Sequence, residues 1–165
     1  MNIVLGVDVG FAICGWSVVE KTDKGMLKLL DYGAITTHKD EEIANRLMQV
    51  YKGLEDVIKR YSPTSMSVEE LYFFKNQKTI IKVGMVRGVI LLAGEKNGLP
   101  IYNYTPLQVK SAVTGYGRAD KKQVQKMIQM IFKLKEIPKP DDAADAVAVA
   151  ICHINSNTKI KDIQR

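Results

Sequence analysis

The sequence predicts an α/β domain built on a mixed five-stranded sheet flanked by helices. Three observations lead there. Residues 3–9 and 12–20 are rich in Val and Ile and read as two strands joined by a tight turn, with a third strand at 27–36 after KTDKG. Helical and extended patterns then alternate along the chain, the order that gives a mixed sheet covered by helices. Finally, 165 residues are enough for a real core, and no repeat, low-complexity tract or linker divides them, so residues 1–165 are read as a single domain.

The remaining elements follow in order. EEIANRLMQVYKGLEDVIKRY, residues 41–61, puts Ile43, Leu47, Val50, Leu54, Val57 and Ile58 on one helical face, and Pro63 ends it. SMSVEEL, 65–71, is a short strand. Residues 77–96 form a long helix that is apolar on more than one face, with Gly84, Gly88 and Gly94 spaced through it. PIYNY, 100–104, is the fifth strand. In TPLQVKSAVTG, Thr105 is the expected N-cap and Pro106 the first helical residue. DKKQVQKMIQMIFKL is a basic amphipathic helix capped by Asp120, and KPDDAADAVAVAICHIN closes the domain as an Ala-rich helix.

Composition narrows the function classes. No uncharged apolar stretch is long enough to span a bilayer, and the N-terminus has no basic leader, so neither a membrane protein nor a secretory signal is expected. Cys14 and Cys152 lack metal-site spacing and are expected to be core residues of a reduced, cytoplasmic protein. The net charge of +6 is localised. Residues 106–140 hold eight Lys or Arg against Asp120 and Glu136, and the rest of the chain is balanced. Such a segment suggests a polyanion such as a phosphate backbone, although a basic face is also commonly just solvated.

Acidic residues stand in unusual settings at three places. Asp8 interrupts an apolar run, where it is either a turn residue or a buried carboxylate that needs a partner. Glu69, with Glu70 beside it, ends a strand. Asp142 and Asp145 share a face of the last helix. Helix capping accounts for Asp141 and Asp142 at its first turn. It does not account for Asp145, set among alanines where the helix should meet the sheet. If the strands of Asp8 and Glu69 are neighbours, the last helix can bring Asp142 and Asp145 against them. Four carboxylates together require a hard divalent cation, and oxygen-only ligation points to Mg2+ or Mn2+. Two such ions serve in-line displacement at phosphorus, so metal-dependent phosphodiester hydrolysis leads.

These residues also carry a resemblance. GVDVGFAICGWSVVE, MSVEELYFFKN, VGMVRGVILLAGEKNGLPIYNYTPLQVKSAVTGYGRADKKQVQKMI and DDAADAVAVAICH, in this order, resemble the RuvC family of Holliday junction resolvases. The resemblance implies a ribonuclease H-like fold with the first strand central. It further implies a homodimer that nicks two opposed strands of a four-way DNA junction with Mg2+, Mn2+ substituting, and two ions per site. By position, the metal-binding and catalytic acids are Asp8, Glu69, Asp142 and Asp145. Asp141 and Glu70 do not match and serve as controls. Tyr72 and Phe73 fall at the family's base-contacting place, where an aromatic face can stack on exposed bases. Lys75 follows, within reach of a phosphate. Lys110 and Lys121 match lysines implicated in activity, Lys121 as a catalytic residue, and Arg118 and Lys122 are expected to contact the backbone. The glycine-spaced helix matches the dimer element. The branch-migration proteins RuvA and RuvB are the further partners the family raises.

One departure is Asp8-Val9-Gly10, where the family usually has proline second; aspartate and glycine remain, and activity is expected to survive. Three other readings stand beside this one. An actin-like ATPase shares the Asp-x-Gly pattern but needs a second domain. A broader branched-DNA nuclease and a catalytically inactive junction-binding protein both fit the same chain.

Overall fold

In the computed structural model, residues 2–70 and 77–160 are described. The leading strands are β1 (Asn2–Asp8), β2 (Ile13–Lys21) and β3 (Leu27–Thr36), paired as an antiparallel meander. Helix α1 (Ile43–Tyr61) follows and stops at Ser62, which is left-handed with φ 45° and returns its N–H to Ile58; Pro63 bars continuation. Strand β4 (Ser65–Glu69) lies parallel to β1, helix α2 (Gln77–Lys96) crosses back, and β5 (Ile101–Tyr104) lies parallel to β4. The sheet order is β3-β2-β1-β4-β5, so β1 is central and adjoins the strand that ends in Glu69.

The last three elements are α3 (Pro106–Thr114), α4 (Lys121–Ile131) and α5 (Asp141–Ile160). The caps expected of Thr105 and Asp120 are both present, each as a full capping box closed by Gln108 and Gln123 respectively.

Strand alternation divides the sheet into two unlike faces. Leu5, Val7, Cys14, Val18, Met66 and Val68 pack with Val50, Leu54, Val86 and Ile90 into the core beneath α1 and α2. On the opposite face Val4 and Val19 pack with Ala150 and Ile154, and toward the far end small residues take over: Gly6 pairs with Ser17 and Ser67, and Asp8 pairs with Gly15. Helix α5 lies directly on this face. A Cβ at Gly6 would stand 2.2 Å from the Ala146 carbonyl oxygen, and one at Gly15 would stand 2.0 Å from that of Asp142. Ser17 and Ser67 donate their hydroxyls to the carbonyls of Ala146 and Val149. The alanines of α5 (Ala143, Ala144, Ala146, Ala150) are completely buried, as their small size allows.

The face of α1 differs from its sequence pattern. Ile43 is 42% exposed, whereas Arg46 is 6% exposed. Arg46 stacks on the Phe11 ring, 3.8 Å from its centroid, and donates to Thr37 Oγ1 (2.9 Å) and the Phe11 carbonyl (3.3 Å). The guanidinium therefore substitutes for an apolar residue at the edge of the core and anchors the loop that leaves β1. Removing it deletes two hydrogen bonds and the ring stack, although Thr37 Oγ1 still donates to the Phe11 carbonyl at 2.8 Å. Arg46→Ala is expected to lower the unfolding free energy by about 2–3 kcal/mol in urea melts, while Ile43→Ala changes it by less than about 1 kcal/mol.

Cys14 and Cys152 are buried free thiols, pushed up to about 12 and about 11, with burial the main cause in both. That agrees with inert core residues. No described helix is long and apolar enough to cross a membrane.

Candidate active site

Asp8 and Glu69 reach the same end of the sheet because β1 and β4 are parallel neighbours. They point to the same face because each keeps the alternation of the small residues beside it, Gly6 and Ser67. Asp142 and Asp145 come to that end from α5, whose N-terminus lies against Gly15. The register thus brings one acid from each of two strands and two from a helix to a single place.

The electrostatics record how close these groups are. Asp8 is raised to about 8, first by burial, then by the charges of Asp145, Glu69 and Asp142, with Lys121 pulling it down. Glu69 is raised to about 6 by burial and by Asp145, against Lys110. Asp145 is also raised by burial, with its bond to Lys121 opposing and the charges of Asp142 and Asp141 adding to it. Burial pulls the Lys121 ammonium down, but its bonds to Asp145 and Asp141 outweigh this and leave it above the ordinary lysine value.

Lys121 Nζ lies 3.1 Å from Asp145 Oδ2 and 3.4 Å from Asp141 Oδ2. Glu69, Lys110, Lys121 and Asp145, with Val109, Val124 and Ala148, line a cleft of about 270 Å³. The basic segment thus delivers two lysines to the acids.

Other expectations lie elsewhere. Arg118 and Lys122 are exposed and outside the cleft lining. Tyr72, Phe73 and Lys75 lie outside the described residues. Asp141, set apart as a control, accepts from Gln125 Nε2 (3.2 Å) and pairs with Lys121, so it is a less neutral control than its sequence position implied. Gly94 packs within the chain against Ile101 and Met66, whereas Gly84 and Gly88 face open space.

The donor set is oxygen only, which suits a hard cation and not zinc. Among the described residues, however, no three His, Cys, Asp or Glu side chains form a group ready to hold a metal ion. Lys121 is the cation in contact with Asp145 in this arrangement. Ion binding therefore needs the carboxylates to close up and Lys121 to yield.

Sequence reasoning missed Arg87 on α2. Its Nη1 donates to the Glu69 carbonyl oxygen (3.1 Å) and its Nη2 to Asn103 Oδ1 (2.7 Å). An arginine within a largely apolar helix was the available signal.

A mixed five-stranded sheet with a central acid-bearing strand, a parallel neighbour ending in glutamate and a closing acidic helix defines a ribonuclease H-like domain. The chain belongs to the RuvC family: the family model described as crossover junction endodeoxyribonuclease RuvC matches residues 4–153. It is 52% identical over 158 residues to the crossover junction endodeoxyribonuclease RuvC of Caldanaerobacter subterraneus, covering 96% of this chain and 95% of that protein. It is 52% identical over 163 residues to the RuvC of Clostridioides difficile, covering 98% and 95%. Among solved structures, Thermus thermophilus RuvC in complex with a Holliday junction substrate matches with TM-score 0.91 and 33% identity over 96% of each chain. The yeast mitochondrial Holliday junction resolvase Ydc2 matches with TM-score 0.70 at 14% identity, covering 98% of this chain and 81% of that one, and so shares the fold.

Proposed function

We propose that this protein is a divalent-metal-dependent, structure-selective endonuclease that resolves four-way DNA junctions by paired nicks, acting as one domain over residues 1–165. The observation that carries the reading is the meeting of Asp8, Glu69, Asp142 and Asp145 at one sheet end, with Lys110 and Lys121 on the same cleft. Membership of the RuvC family supports the substrate.

In this reading Asp8, Glu69, Asp142 and Asp145 hold Mg2+ or Mn2+, two ions per site. When bound, such ions activate water and neutralise charge on the leaving oxygen. The chain's own groups do the rest. Small residues under α5 let the helix seat closely on the sheet, which brings the four carboxylates to one end of it. Lys110 and Lys121 offer ammonium groups to the scissile phosphate. Because Lys121 sits on Asp145, a metal ion would compete with the ammonium for that carboxylate, and a phosphate would compete with the carboxylate for the ammonium. Arg118 and Lys122 take flanking phosphates, and Tyr72, Phe73 and Lys75 the bases and backbone near the crossover.

A homodimer belongs to the same proposal, since a four-way junction offers two symmetry-related strands. Gly84 and Gly88 on α2 leave open space beside exposed Ile80, Ile81, Met85 and Leu92, a face suited to close helix approach. RuvA, RuvB and a cytoplasmic location complete it, and the inert thiols accord with a reducing compartment.

The test is a labelled four-way junction beside a linear duplex of matched sequence, incubated with Mg2+, with chelator, and with Asp145→Asn. Symmetric nicks on the junction alone are expected, abolished by chelator and reduced at least about 10³-fold in the variant. Equal cutting of the duplex would make it a general nuclease. Junction binding without any metal-dependent nick would leave a binding protein.

A further inference from the structure

We propose that Arg87 is a positioning residue for Glu69, holding the end of β4 so that the glutamate carboxylate faces the site; this rests on the nuclease reading above. The β1 ladder on β4 ends at Val7 and Val68, one residue short of Glu69. On the other side the ladder reaches Glu69 and Tyr104, with the Glu70 N–H donating to the Tyr104 carbonyl at 2.7 Å. Glu69 is thus the last strand residue, paired on one edge only, and strand ends fray unless tied.

Arg87 supplies the tie. One guanidinium nitrogen binds the carbonyl of Glu69 itself, and the other binds Asn103 on β5, so a single planar group spans the ends of both strands. It approaches from the α2 side, the side on which Met66 and Val68 meet Val86 and Ile90. The Glu69 side chain alternates to the opposite side, toward α5 and Asp145. Arg87 therefore grips the backbone from behind the site and touches no reacting group. Among the described residues it forms no ion pair, and burial, Asp145 and Lys110 are what set Glu69's titration. Its contribution is geometric. A lysine has the charge without the fork and can satisfy only one of the two acceptors well.

Groups that orient ligating side chains typically affect metal affinity or activity by about 10–100-fold when removed. The experiment compares wild type, Arg87→Ala and Arg87→Lys in three measurements: Mn2+ titration of the free protein, junction binding without metal, and single-turnover cleavage. Arg87→Ala is expected to weaken Mn2+ binding and slow cleavage by about 10-fold or more with junction affinity unchanged, and added low-millimolar guanidinium to restore both in part. If Arg87→Ala does not fold, Arg87→Lys carries the same comparison. Wild-type Mn2+ affinity in the variants, or loss confined to junction affinity with a shallower salt dependence, would overturn the proposal; the latter would make Arg87 a phosphate contact. If the wild type binds Mn2+ yet cleaves nothing, the nuclease reading fails, while the Mn2+ comparison still decides Arg87.

Discussion

Asp8→Asn is expected to abolish junction cleavage, by about 10³-fold or more, and at the same time to stabilise the metal-free protein at pH 8. Both effects come from one cause. Asp8 sits partly buried among three other acids, which raises it to about 8, so the metal-free fold prefers its neutral form. In the unfolded chain it titrates near its ordinary value of 3.8. Between those values the folded protein holds a proton that the unfolded chain has released, and stability must fall as pH rises through the window. Each unit of difference is worth about 1.4 kcal/mol, and coupling among the acids reduces the sum, so a loss of about 2–4 kcal/mol between pH 4 and pH 8 is expected. Asparagine mimics the neutral acid and removes that slope. Urea melts in chelator at pH 4.5 and pH 8 check it: the two proteins should be similar at the lower pH and separate at the higher. Equal slopes in both would overturn the reading of Asp8 as a destabilised carboxylate. Adding Mg2+ at pH 8 should stabilise the wild type and leave Asp8→Asn nearly unmoved.

Gly15→Ala is expected to have the largest effect of any single methyl group. The new Cβ would meet the Asp142 carbonyl oxygen at 2.0 Å, its carbon at 2.4 Å and the Ala143 nitrogen at 3.0 Å. All three are backbone atoms, so no side chain can turn aside. The start of α5 must lift from the sheet, taking Asp142 with it and tilting Asp145 one turn further on. Overpacking of this kind costs about 3 kcal/mol or more. For a domain of this size that is a fall of roughly 6–12 °C in Tm. Calorimetry measures the fall, and cleavage assayed well below the new Tm separates stability from geometry. A rate loss of at least about 10²-fold in the folded variant is expected, because a displaced ligand is felt at the reacting centre. A folded variant that cleaves normally would show that the seat of α5 on Gly15 does not position the acids.

The sequence by itself determined whatever depends on neighbouring residues. The Thr105 and Asp120 caps, the stop at Ser62 and Pro63, and the five strands are short-range matters, and all are present. The acids were legible for a different reason: Asp8 and Asp145 break apolar patterns that burial alone would have kept intact. The tertiary structure decided the rest. Nothing local distinguishes Gly6, Gly15, Ser17 and Ser67 from weak strand residues, yet together they form the floor on which α5 rests. Arg46 and Arg87 carry no local signal of their partners, and Phe11, Thr37, Glu69 and Asn103 are brought to them only by the folded chain. The resemblance singled out Lys121, but its contact with Asp145 exists only because α4 is laid against α5. Local propensity and hydrophobic period encode elements, because they act over a few residues. Close packing and hydrogen bonds between distant segments encode the site, and those exist only once the elements have met.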